Sequence, residues 1–430
     1  MDMLLRDSYN QSLKKYIWIP FSLGIVVLSL LLVNTGNTSI RVVGLLSFVI
    51  IALFLKPDSI VILMALVEPF SIVFKLQDSF SVMPFLFIIL FVKSIPNGRK
   101  YPSKVIMPLL ALMSIGLIVV FARGFSITSF LSFYLYLICV VVVLNNENIC
   151  LEHVFEVVSI WYVISVLIEC ILSEYLPNAV SMVTKVSIYN LRNIGFSNEW
   201  EFGRHLVVAV AFCLTNILKR KRFLLAYIVA IVYLIYKLTS TGLYSGLLAI
   251  GILIMCLPFI YKGSMGKRVL FFTVTILISA GLLLLAYYYV YIPMYNLRGQ
   301  FTDNGRFNTW LAYLHDLGSN ISLLLFGAGA GCISDYAASV HRITAHNILL
   351  EKVVEFGIFG LIGLISLIKN SYKGYTFKLN ENLNLFPLIG FLGTTITQGV
   401  TGSELVFILM MICAMRKEKL DSPERDGVAI

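Results

Sequence analysis

Lys104-Val-Ile-Met-Pro-Leu-Leu-Ala-Leu-Met-Ser-Ile-Gly-Leu-Ile-Val-Val-Phe121 carries no charge after its first residue. As a helix rising about 1.5 Å per residue, this run extends about 27 Å, close to the roughly 30 Å hydrocarbon thickness of a bilayer. Comparable apolar runs recur, roughly at 16–33, 40–55, 59–74, 81–94, 126–144, 152–174, 203–218, 222–238, 241–261, 269–291, 346–368, 384–398 and 403–415. Glu68-Pro69 interrupts the third of these, and the last two are short enough to form a re-entrant pair. Of the 430 residues, 59% are hydrophobic and 13% charged, with a mean hydropathy of +0.89. Water cannot solvate such a surface, so lipid must. The pattern predicts an all-α polytopic membrane protein with 12–14 transmembrane helices, forming a single integral membrane domain over 1–430. No cleavable signal peptide is read at the polar start.

Lys and Arg set the orientation. With the N-terminus in the cytoplasm, alternate loops hold Lys93, Arg99, Lys100 and Lys104; Lys219, Arg220, Lys221 and Arg222; Lys262, Lys267 and Arg268; and Lys369, Lys373 and Lys378. Every strong basic cluster then falls inside, so the formal charge of +10 is a topology signal and implies no nucleic-acid partner. Two long loops, about 175–203 and 292–345, fall outside. The outer cations are mostly arginine, whose planar fork suits phosphate oxygens better than lysine does. The seven cysteines form no framework, and no Cys/His spacing suits a metal.

The polar residues that stand out lie in or beside these two loops. Before the eighth run come Arg192, Gly195, Glu199, Glu201 and Arg204, which read either as solvated Arg–Glu pairs or as a clamp for an anionic ligand. Gly327-Ala-Gly-Ala-Gly331 has neither a preceding strand nor a following Lys-Ser/Thr, so it reads as a structural turn rather than a nucleotide loop. Arg306, Arg342 and Ala345-His346-Asn347 lead into the twelfth run, which then carries Glu351 and Glu355 on one helical face. His346 suits a general base, since imidazole is mostly neutral at pH 7. The plainer reading makes it a helix-end residue bonded to backbone. Carboxylates on a membrane helix need a partner or a wet cavity.

The order Gly305-Arg306-x-x-x-Trp310, then Gly327-x-Gly-x-Gly331, then Ala345-His346-Asn347 ahead of Glu355-x-Gly357-x-x-Gly360, resembles the O-antigen polymerase and O-antigen ligase superfamily. Arg192-Asn-Ile-Gly195 is similar to that family's earlier outer loop, and the family-like region covers about 190–400. The resemblance implies a multi-helix, C-type glycosyltransferase-like architecture in the bacterial inner (cytoplasmic) membrane, acting without metal or cofactor at the periplasmic or extracellular face. The implied activity is polymerisation of undecaprenyl-diphosphate-linked oligosaccharide repeat units into O-antigen or capsular polysaccharide. A ligase that moves the glycan to the lipid A core of lipopolysaccharide is the close alternative. Membrane lipid and a chain-length regulator protein are the other implied partners. By motif, Arg192 and Arg306 would bind the diphosphate and His346 would sit by the acceptor, with Arg342, Arg204, Glu199, Glu201, Asn347 and Glu351 as substrate-binding candidates. One departure stands: many members carry a Ser-Arg pair where this chain has Lys237-Leu-Thr-Ser-Thr-Gly242. A lipid flippase or other transporter without chemistry is the reading from another class, and it predicts charged or broken helices at mid-membrane depth.

Overall fold

The computed structural model describes residues 16–36, 39–75, 81–95, 102–146, 148–184, 195–196, 199–219, 223–241, 243–260, 265–288, 292, 306–379, 382–396 and 403–416. Every regular element among them is a helix, and a β-bridge joins Tyr375 to Arg416. In chain order they are α1 (Trp18–Asn34), α2 (Ile40–Phe54), α3 (Pro57–Val67), α4 (Val82–Ser94), α5 (Ser103–Arg123), α6 (Ile127–Leu144), α7 (Leu151–Tyr175), α8 (Pro177–Thr184) and α9 (Glu199–Lys219). There follow α10 (Leu224–Thr241), α11 (Tyr244–Ile260), α12 (Met265–Ala286), α13 (Arg306–Ser319), α14 (Ile321–Phe326), α15 (Ile333–Ser339), α16 (Ile348–Ser371), α17 (Phe386–Thr395) and α18 (Leu405–Ile412).

Among the described residues, α5, α6, α7, α9 and α10 are long and apolar enough to cross a membrane. Further apolar helices, such as α1, α2 and α4, have 10–17 residues. They fall short of the 20 or so residues that a crossing usually needs. The sequence breaks these runs early. Pro57 starts α3, and Glu68-Pro69 ends it in a short 3-10 turn, because proline supplies no N–H to carry the ladder on. The eight residues of α18 reach only about 12 Å. Phe54, Phe121, Leu225 and Ile365 are all more than half exposed, which is stable only if that surface meets lipid. The chain is an all-α membrane protein. Its least exposed long helix is α9, enclosed by α7, α10, α11 and α17.

The 292–345 segment, expected as loop, is helical over much of its described part and forms a cap. Trp310 Nε1 donates to Ala345 O at 2.6 Å, and Tyr313 Oη donates to Ile343 O at 3.0 Å. Tyr313, Leu323, Ile333 and Tyr336 build a small apolar core that reaches Val354 of α16. In the other expected loop, α8 packs on α1, and Ala179 N donates to Asn34 Oδ1 at 3.1 Å.

The glycine turn explains how the cap is fastened. Helix α16 breaks at Gly357, whose φ of 60° and ψ of −176° leave the helical region. The break frees carbonyls that the turn collects: Ala328 N donates to Val354 O at 2.7 Å, and Gly329 N donates to Glu355 O at 2.9 Å. Gly327 has φ 76°, and a Cβ there would stand 2.3 Å from Glu355 O. The turn is therefore backbone docked on backbone.

Candidate functional site

A buried ionic cluster lies where α3, α7 and α9 meet. The first two turns of α9 present Glu201, Arg204 and His205; Glu68 ends α3, and Glu169 lies about two turns from the end of α7. His205 Nδ1 is 3.0 Å from Glu169 Oε2, and its Nε2 is 3.2 Å from Glu68 Oε2. All three side chains are buried. Arg204 Nη1 donates to Glu201 Oε1 at 2.5 Å, and Ser403 Oγ donates to Glu201 Oε2 at 3.4 Å. Charges can be buried in this way only because they answer one another; removing one partner of such a pair costs about 3–5 kcal/mol. Gly195, at φ 61°, admits the chain beside Glu169, since a Cβ there would stand 2.6 Å from its Oε1.

Beside the cluster is a cavity of about 760 Å³ between α4, α6, α16 and α18. Its two ends differ. Nearest the cap it is lined by Lys75, Lys352, Glu355, Glu404 and hydroxyls that include Ser81, Ser126, Ser129 and Ser334. Farther along α16 and α18 the wall becomes Leu364, Ile368 and Met410. Lys352 Nζ donates to Glu355 Oε2 at 2.5 Å. Glu404 stands close enough to Glu68, Glu201 and Lys75 for their charges to interact. Ser403 lines the cavity and also bonds Glu201, so cluster and cavity share a wall. One polar end leading to one apolar end matches an amphiphile, a polar head on a hydrocarbon chain.

The residues singled out from sequence are distributed as follows. Glu201 and Arg204 are together, Arg204 buried and Glu201 half-buried, rather than as a solvated pair. Glu199 opens α9, while Arg192 lies outside the described residues. Arg306 opens α13 on the cap and is half-buried. His346 has φ 51°, packs its ring edge-on to Trp200 at 4.8 Å, and donates its backbone N–H to Glu351 Oε1 at 3.0 Å. It does not line the cavity, although Ile348 and Lys352 of the same helix do. Asn347 caps α16, its side chain accepting from Leu350 N, and its Nδ2 donates to Ile396 O at 3.0 Å. Lys237, where the resemblance breaks off, is buried and paired with Glu174.

Arg342 Nη1 donates to Asp316 Oδ2 at 2.5 Å, and Tyr336 Oη donates to the same oxygen at 3.0 Å. The guanidinium thus holds the cap. Burial, then the Glu351 carboxylate, pushes the Tyr313 phenol up to about 12. A phenol protonated longer in the fold than in the open chain loses its stabilising effect as pH rises past its ordinary 10. The cap should therefore loosen between about pH 10 and 12, visible as a shift in Trp310 fluorescence. Burial likewise pushes the Cys332 thiol up to about 12. In detergent at pH 7, maleimide should modify exposed Cys150 and leave Cys332 untouched. Rapid labelling of Cys332 would mean that the cap opens on its own.

Sequence reading passed over Glu68, Glu169, His205 and Glu404. Glu68 stood out only as a break in an apolar run, and His205, one polar residue ahead of Leu-Val-Val-Ala-Val, not at all. The usable signal was an ionisable residue inside a run otherwise fit for lipid, which by itself asks for a partner. No protein-family model, curated protein or solved structure matches this chain.

Proposed function

We propose that the protein is a glycosyltransferase that extends a polysaccharide from a polyprenyl-diphosphate-linked oligosaccharide, with the amphipathic cavity as its lipid-substrate site. The observation that carries this reading is the polarity gradient of the cavity: hydroxyls, lysines and carboxylates at the cap end, and Leu364, Ile368 and Met410 beyond. Hydroxyl side chains suit a sugar, since each both donates and accepts. Lys75 and Lys352 would face the diphosphate as point charges. An acceptor hydroxyl oxygen attacks the anomeric carbon, and the bond from that carbon to the phosphate oxygen breaks. The lipid diphosphate leaves with the electron pair, and the acceptor proton passes to a carboxylate. Glu404 fits that role best, being at the polar end and close enough to the Tyr136 hydroxyl to interact with it. In this reading the basic clusters put the cap on the periplasmic or extracellular side, the 12–14 crossings include the shorter helices, and Arg306 and His346 serve the acceptor side.

The test is purified protein in nanodiscs with a polyprenyl-diphosphate-linked repeat unit, read as a product ladder. Lys352→Ala should shorten the ladder and raise the substrate concentration needed. If the wild type makes no glycosidic product from any such donor, with or without a lipid A core acceptor, the reading is wrong. A broken helix at Gly357 and buried ionisable groups favour a second reading, a transporter. Transport of labelled lipid across the bilayer with no new linkage would decide for it. Against it, Glu201, Arg204, His205, Glu169 and Glu355 all sit within about two turns of one end of their helices, whereas coupling sites usually lie near the midplane.

A further inference from the structure

We infer that Glu68, Glu201 and His205 hold one divalent metal ion in the wall beside the cavity. One ligand atom from each lies within 4.8 Å of the other two. The imidazole is already aimed. Glu169 Oε2, 3.0 Å from Nδ1, accepts its N–H and leaves Nε2 turned toward Glu68. A carboxylate behind the far ring nitrogen is the usual support for a metal-bound histidine, fixing its tautomer and raising its basicity.

Independent of that grouping, Glu68 Oε2 has no hydrogen-bond partner, although the side chain is only 3% exposed. It stands 3.2 Å from His205 Nε2 without the alignment that a hydrogen bond needs. A buried carboxylate oxygen with no donor is expensive, and a cation placed beside it removes the cost. Charge points the same way. Among the described residues, Glu68, Glu169, Glu201 and Glu404 gather around Arg204, His205 and, farther off, Lys75. Four carboxylates against one guanidinium, one imidazole and a more distant ammonium make this wall acidic, as a cation site requires. Ligands on a tetrahedral ion at about 2.0–2.2 Å stand roughly 3.3–3.5 Å apart. His205 and Glu68, at 3.2 Å, are close to that spacing, and Glu201, within 4.8 Å of both, moves toward them from its contacts with Arg204 and Ser403 when the ion binds. Two carboxylates and an imidazole suit zinc or manganese. Bound there, the ion would tie α3 to α9 and, through Glu201 and Ser403, set the field at the polar end of the cavity.

The test does not depend on the proposed activity. Purified full-length protein in detergent is stripped with a chelator, re-exposed to zinc or manganese, desalted and assayed for metal content. About one equivalent is expected for the wild type and for His315→Gln, whose imidazole is on the cap. His205→Gln and Glu68→Gln should lose it. Glu169→Gln should keep the site but weaken it roughly 10–100-fold, the usual effect of removing such a support. Manganese titration followed by electron paramagnetic resonance gives the wild-type stoichiometry without any variant, so an unfolded variant leaves the outcome readable. A wild type that retains no metal, or retention unchanged in both His205→Gln and Glu68→Gln, would overturn the inference.

Discussion

Glutamine at position 404 is expected to lower glycan extension by about two to four orders of magnitude, the usual cost of removing a general base. Glu404 has Lys75 only near enough for their charges to interact, whereas Glu355 is hydrogen-bonded by Lys352. The Glu404→Gln side chain keeps the size and hydrogen-bonding capacity of glutamate but cannot take a proton at neutral pH. Protein yield and melting temperature should change little, because the half-buried side chain keeps its volume and the surface it packs. Extension is measured on reconstituted protein as the rate of new linkage per enzyme. A rate within twofold of wild type would move the base elsewhere, with His346 next to be tested as the Gln variant.

The second large effect falls on folding. Alanine at Gly357 should cost more than about 3 kcal/mol, enough to remove most of the protein from the membrane fraction. Two causes act together. A φ of 60° paired with a ψ of −176° is open to glycine alone. A Cβ would also stand 2.6 Å from Leu325 O and 2.5 Å from Gly327 N. Those atoms are backbone, so nothing flexible can step aside. Gly363→Ala is the control, since its close neighbours at 3.0–3.7 Å belong to the outer part of the Leu112 side chain. Equal, normal accumulation of the Gly357→Ala and Gly363→Ala proteins would remove the break in α16 from the account of the fold.

Membrane helices were legible where hydrophobicity ran unbroken, as in α5, α6 and α10. They were less legible where one proline or glutamate cuts a run, because length along the sequence is not length along a helix. The cap was hidden for a different reason. Helices α13, α14 and α15 are short, and Tyr313, Leu323 and Tyr336 gain their apolar environment only from one another and from Val354. No local period announces that. The site divides in the same way. Glu201, Arg204 and Glu351 could be suspected from motif and spacing. His205 is found only when Glu68, 137 positions earlier, and Glu169 are seen beside it. Such pairings are a property of the packing, and a single sequence does not display them.

Among the five described helices long and apolar enough to cross a membrane, α9 is the least apolar and the most enclosed, and its first two turns carry Glu201, Arg204 and His205. Each charged residue near the middle of an inserting segment costs about 2.5–3.5 kcal/mol at the translocon, and less toward an end. The segment is therefore poorly suited to partition into lipid unaided. Its partners Glu68, in the turn that follows α3, and Glu169 of α7 are synthesised earlier. Biogenesis then has an order imposed by charge: the amino-terminal helices must be in the bilayer, with their carboxylates waiting, before the ninth can leave the insertion machinery. A ribosome paused ahead of that segment would hold a half-built bundle whose next helix has only one stable place to go.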